Sequence, residues 1–157
     1  MKKLRFPRQQ NARRVQTPGR VLSADELSGR EISDGTPDAQ AAVDLVWEWL
    51  EQTGLTNGKE KPPVRCFTSI LDGGTMLNGY YRNGTVYINR DLAGAGYLVA
   101  GAEALPDRLV HVALEEVAHF VTNGATDNSR DFQNFLLDLA VKLGRKRAGC
   151  KVEGCTH

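Results

Sequence analysis

Residues 109–132 read LVHVALEEVAHFVTNGATDNSRDF, two helical patterns joined by a short polar break. Pro106-Asp107 opens a helix that runs to about Thr122, with proline suited to a helix start. NGATDN breaks it, because Asn123-Gly124 can adopt the left-handed cap that ends a helix. SRDFQNFLLDLAVKLGRK then forms a second amphipathic helix, with Phe132, Phe135, Leu136, Leu139 and Leu143 on its apolar face. Positions four apart share a helix face, so Glu115 and His119 can aim a carboxylate and an imidazole at one point. Glu116 stands about 100° further round, beside that point. His111 shares the face of Glu115 but lies roughly 12 Å from His119 at about 1.5 Å of rise per residue. It cannot join His119 on one ion, though it can hydrogen-bond Glu115.

Working outward toward the N-terminus, TPDAQAAVDLVWEWLEQTGL (36–55) is a further helix. Thr36 can cap it, Pro37 fits its first position and Asp38 suits the positive end of the dipole. Ala42, Leu45, Val46, Trp49 and Leu50 form its apolar stripe, and Gly54 stops it. VRCFTSIL (64–71) has the composition of a strand, and LDGGTMLNG (71–79) is a turn-rich connection. GYYRNGTVYIN (79–89) places two strand-like pieces around Asn83-Gly84, a hairpin signal. The order helix, strands, helix, helix predicts an α+β fold with helices packed on a small, mostly antiparallel sheet.

A chain of 157 residues suits one domain. The division expected is a basic arm and linker over 1–35, a domain over 36–147 and a Cys/His-containing tail over 148–157. With 41% hydrophobic residues, 25% charged and a net charge of +1, the balance is that of a soluble globular protein with no overall bias toward nucleic acid. Apolar runs are too short to span a bilayer. The opening MKKLRFPRQQ lacks the apolar core of a secretory signal, so a cytoplasmic protein with reduced thiols is expected. Lys2, Lys3, Arg5, Arg8, Arg13 and Arg14 fall in a segment without acids, which could neutralise nucleic-acid phosphates or simply be solvated.

Two candidate ligands need a third. Asp127 and Asp131 follow the break, and Asp127, in the loop, is freer to reach. The stretch resembles the active helix of zincin-type metallopeptidases, whose hallmark is His-Glu-x-x-His. In layout it is most similar to the small ImmA/IrrE-like and SprT-like groups, where a helix, a small sheet with an edge strand (here GTVYIN), the active helix and another helix follow in order. It also resembles phage or prophage proteins with a Glu-Glu-x-x-His helix, which would place it in a host cytoplasm. The resemblance implies Glu115, His119 and Asp127 as metal ligands, Glu116 as general base, and a peptide or protein as substrate. It also implies a divalent metal, zinc first and manganese second. Glu115 stands where the family has His. Its oxygen binds zinc at similar distance, but two carboxylates neutralise the ion's charge and favour harder metals such as manganese or magnesium.

Without a metal, Glu115 and Glu116 would repel in a common cleft, raising one pKa, unless Glu115 reached Arg130 or another base. A plainer reading exists too. Glu-Glu pairs are common on solvated helix faces, and a His beside Val117, Ala118 and Phe120 often serves packing. The rival function is therefore a catalytically inactive zincin-like module that binds nucleic acid, through the N-terminal arm and GRKR (144–147), or a protein partner. Cys150, Cys155 and His157, with Cys66 as a conceivable fourth, do not have the spacing of a standard zinc knuckle. The Glu-x-x-His of di-iron bundles would need a second copy and four long helices. No phosphate-binding loop, dinucleotide fingerprint or Ser/Cys nucleophile motif occurs.

Overall fold

Thr36 caps the helix predicted over 36–55, its Oγ1 accepting from the Ala39 N–H at 3.3 Å with Pro37 in the first turn. The computed structural model describes residues 32–68, 71–72, 75–92 and 105–149. Helix α1 (Pro37–Thr53) ends on Gly54 at φ 71°, the left-handed conformation glycine takes without penalty. Its buried arc is Ala39, Ala42, Val43, Val46, Trp47 and Leu50. The predicted stripe is thus rotated: Leu45 and Trp49 pack only at the margin. Because α1 touches the sheet and both other described helices, it buries a broader arc than a helix lying on one surface.

The strands are β1 (Ile32–Asp34), β2 (Val64–Phe67), β3 (Leu71–Asp72), β4 (Thr75–Met76), β5 (Gly79–Arg82) and β6 (Thr85–Asn89). Four of them form a sheet in the order β1-β2-β6-β5, while β3 and β4 pair by themselves. The predicted hairpin is present: Asn83 and Gly84 at φ 47° and 77° form the two-residue turn joining β5 to β6, and positive φ at both suits a type I′ turn. Two expectations need correction. The sheet is mixed, because β2 and β6 run parallel with Val64 opposite Val86. GTVYIN is not an edge, because β6 bonds β2 on one side and β5 on the other, leaving β5 outermost. In addition, β1 falls inside the segment expected to be linker, so the folded domain includes Ile32–Asp34.

Helices α2 (Asp107–Val121) and α3 (Arg130–Ala148) complete the layer, α2 lying on β5 and β6 and α3 against α1 and α2. Strand alternation sends Val64, Cys66, Val86 and Ile88 into the core with Val43, Val46, Leu50, Leu109, Val117 and Val121. Each of the Val, Leu and Ile side chains contributes about 1.5–3 kcal/mol through burial. The alternate strand positions build a smaller cluster of Phe67, Leu77 and Tyr80 with Ile32 and Tyr87 against it. There Tyr80 stacks on Tyr87 at 4.4 Å between centroids. The Tyr80 hydroxyl is buried with no hydrogen-bond partner among the described residues. Burial, reinforced by Tyr87, raises its proton affinity well above the ordinary phenol. No helix among the described residues is long and apolar enough to cross a membrane.

Candidate metal centre

Helix α2 runs one turn past Glu115 and Glu116 and ends at Val121, as the break at NGATDN requires. Its buried positions are Leu109, Val112, Ala113, Glu116, Val117, Ala118 and Val121. Glu116 therefore occupies a place on the apolar arc, 3% exposed, where the helical repeat calls for a hydrophobe. Its neighbour across the sheet is Gly79: a Cβ there would stand 3.0 Å from Glu116 Cγ, 2.8 Å from Val112 Cγ1 and 3.0 Å from the Tyr87 carbonyl oxygen. The absent side chain at Gly79 is what admits the Glu116 stem against β5. Burial, then the Glu115 and Asp127 carboxylates, raise the Glu116 carboxyl well above the ordinary range. Every one of these influences favours its protonated form.

Beyond Val121 the chain reverses tightly. Asn123 and Gly124 take φ 57° and 79°, and the Gly124 N–H donates to the His119 carbonyl at 2.7 Å. The end of α2 is held from outside as well. Lys59 Nζ donates to the Phe120 carbonyl and to Asn123 Oδ1, both at 2.6 Å, and Asn57 Nδ2 donates to the Val121 carbonyl at 3.1 Å. A cation and an amide thus satisfy carbonyls that a helix C-terminus leaves open. The turn carries Ala125 to His119, whose Nδ1 lies 2.7 Å from the Ala125 carbonyl oxygen. A carbonyl only accepts, so Nδ1 bears the proton and Nε2 faces outward from that bond. Asp127 Oδ1 stands 2.7 Å from Nε2, and the Phe132 ring stacks on the imidazole at 4.5 Å. The helix that Phe132 belongs to is started by Ser129, whose Oγ accepts from the Phe132 N–H at 3.2 Å.

His119 and Asp127 are therefore brought together by the turn after α2, and Glu115 stands in the same electrostatic neighbourhood. Burial raises the Glu115 carboxyl; His111 opposes this, Asp127 adds to it and His119 opposes it. Glu115 Oε1 is turned back one helical turn, to 3.5 Å from His111 Nε2, a separation too long for a strong hydrogen bond. Arg130 and Asp131 are exposed in the first turn of α3, so Asp127 and not Asp131 faces His119.

The donor set is right in kind, one imidazole and two carboxylates, but the His119–Asp127 spacing is that of a direct hydrogen bond. A tetrahedral zinc with ligands at about 2.0–2.2 Å holds two donors about 3.3 Å apart, wider than the 2.7 Å between His119 and Asp127. Among the described residues no three His, Cys, Asp or Glu side chains converge on one point. Accepting an ion means parting His119 from Asp127 and swinging Glu115 away from His111. The orientation of His119 already suits that: an Nδ1–H bonded to a backbone carbonyl is the outer-shell contact that presents Nε2 to a metal.

Cys66 is buried in the core, its Sγ accepting from the Thr36 N–H at 3.5 Å, which makes it a packing residue. Cys150, Cys155 and His157 lie outside the described residues, as do Lys2, Lys3, Arg5, Arg8, Arg13 and Arg14. The GRKR stretch is the exposed last turn of α3, where Lys146 Nζ donates to the Gln52 carbonyl at 3.1 Å. Three contacts escaped sequence reasoning: the Gly79 recess, the Ala125 carbonyl and the stacked Phe132. Only Gly79 left a trace, as a glycine opening a strand-like stretch. No protein-family model, curated protein or solved structure matches this chain.

Proposed function

We propose that the protein is a metal-dependent hydrolase of zincin-like design, acting on peptide bonds, with Glu115, His119 and Asp127 as ligands and Glu116 as general base. The observation that carries this reading is the pinned imidazole. His119 is oriented by Ala125 with Nε2 toward Asp127, and the helix that bears it carries two further carboxylates within its last two turns, Glu115 and the buried Glu116. Burial and the Asp127 charge raise the proton affinity of Glu115, and burial, Glu115 and Asp127 raise that of Glu116, so a cation placed there would relieve both. A divalent ion, zinc or manganese, would supply a Lewis acid there. Glu116, dry and strongly basic, would take the proton of the attacking water, and the Ala125 contact would keep His119 in one tautomer.

The test is a titration of chelator-stripped protein with cobalt or zinc, alongside hydrolysis of a mixed peptide library. One equivalent of metal bound by the parent and Glu116→Gln proteins, lost in His119→Ala, with hydrolysis abolished in both variants, is the expected pattern. Failure to bind either ion, or binding untouched by His119→Ala, would overturn it. One observation favours a second reading, a catalytically inactive module. The 2.7 Å pair closes His119 onto Asp127 as a structural clamp, and in that case the titration stays flat while Asp127→Ala loosens the 122–129 turn.

A further inference from the structure

Helix α3 buries only part of its circumference. Phe132 and Leu139 are interior and Phe135 and Leu143 pack at the margin. Leu137 and Val141, by contrast, are 62% and 54% exposed and are the large hydrophobic side chains left in solvent among the described residues. At about 100° per residue they lie roughly 160° either side of Leu139, directly away from the core. Ala140, Gly144 and Ala148 border them and are exposed too. Gly144 adds a second observation. A Cβ there would meet nothing within 4 Å, so no contact among the described residues explains a weak helix former inside the helix.

We propose that α3 pairs antiparallel with α3 of a second copy of this chain, forming a weak two-fold dimer. Charge selects the occupant and its direction. Asp138 and Arg145 sit on the same flank of the outward face, two turns apart, and both are exposed. An antiparallel two-fold sets each Asp138 against the partner's Arg145, twice by symmetry. A parallel pairing would bring opposite flanks together and leave Asp138 and Arg145 apart. In the register that joins these charges, Val141 meets its own copy near the axis and Leu137 lies over the gap between the partner's Gly144 and Ala148. The glycine then has a function, to let the second helix approach. One helix face covers less than the roughly 1,200–2,000 Å² of a stable complex, so the association is concentration-dependent.

Sedimentation velocity on the full chain in chelator, from about 10 μM to about 1 mM, reads this directly. A dimer fraction that grows across the range is expected. Val141→Glu should weaken it at least about tenfold. Asp138→Arg and Arg145→Glu should each weaken it about fivefold, and the double reversal should restore it, as exposed pairs repeated by symmetry do. Gly144→Ala should raise the melting temperature of the dilute protein, from helix propensity alone, while weakening the dimer. That variant keeps the test valid if a charge change disturbs folding. A monomer at every concentration overturns the proposal. So does a dimer indifferent to Val141→Glu and Gly144→Ala, or one that the double reversal fails to restore.

Discussion

Glu116→Gln in chelator-stripped protein isolates the buried carboxyl of α2. Glutamine keeps the stem that rests against Gly79 and removes only the ionisation. Burial and two neighbouring carboxylates raise the folded-state pKa of Glu116 above its unfolded value. Its contribution is therefore fully present below the ordinary carboxyl range and is lost as pH rises through the raised value. In that window the native state holds one more proton than the unfolded chain, which costs about 1.4 kcal/mol of stability per pH unit. With 3% exposure, solvent screening reduces this little. Glu115 adds a smaller slope of the same sign, because its side chain is 34% exposed. Urea unfolding followed by circular dichroism, at half-unit steps upward from about pH 4.5, gives both slopes. The parent should lose stability as pH rises, and Glu116→Gln should lose about 1.4 kcal/mol per unit less. Parallel lines for the two proteins would refute the argument, since they would mean that Glu116 ionises as freely in the fold as in solvent.

Gly79→Ala should destabilise by about 1–3 kcal/mol in the same unfolding assay, the usual result of overpacking, because the Tyr87 carbonyl oxygen at 3.0 Å is backbone and cannot step aside. Tyr80→Phe should leave stability unchanged or raise it by about 1 kcal/mol, since the buried hydroxyl finds no acceptor among the described residues; a clear loss would reveal a hidden partner. Thr36→Ala should cost about 0.5–1 kcal/mol by thermal melting, at the low end for an N-cap because its bond to Ala39 is 3.3 Å long.

What the sequence made legible was local. The N-cap at Thr36, the stop at Gly54, the Asn83-Gly84 turn and the break after Val121 are each set by residues within one turn of themselves, and all four stand as read. Strand β1 and the parallel pairing of β2 with β6 depend on partners more than twenty residues away, which no local pattern encodes. Within the site, i, i+4 spacing located Glu115 and His119, and the short loop located Asp127. The burial of Glu116 was concealed by its charge, although Leu109, Val112, Ala113 and Val117 mark the arc it shares. The backward turn of Glu115 to His111 was anticipated only as one option, because helix spacing fixes which side chains can meet and not which rotamer wins.

Lys59 and Asn57 belong to the loop after α1, yet they grip the last carbonyls of α2 and the first residue of the turn that bears Ala125 and Asp127. That loop is a mooring for a centre none of its own atoms touch. Any change of angle where it leaves α1 is passed through two short bonds to the posture of the imidazole, so tuning of the centre can evolve, or be engineered, from a segment of the chain remote from it in sequence.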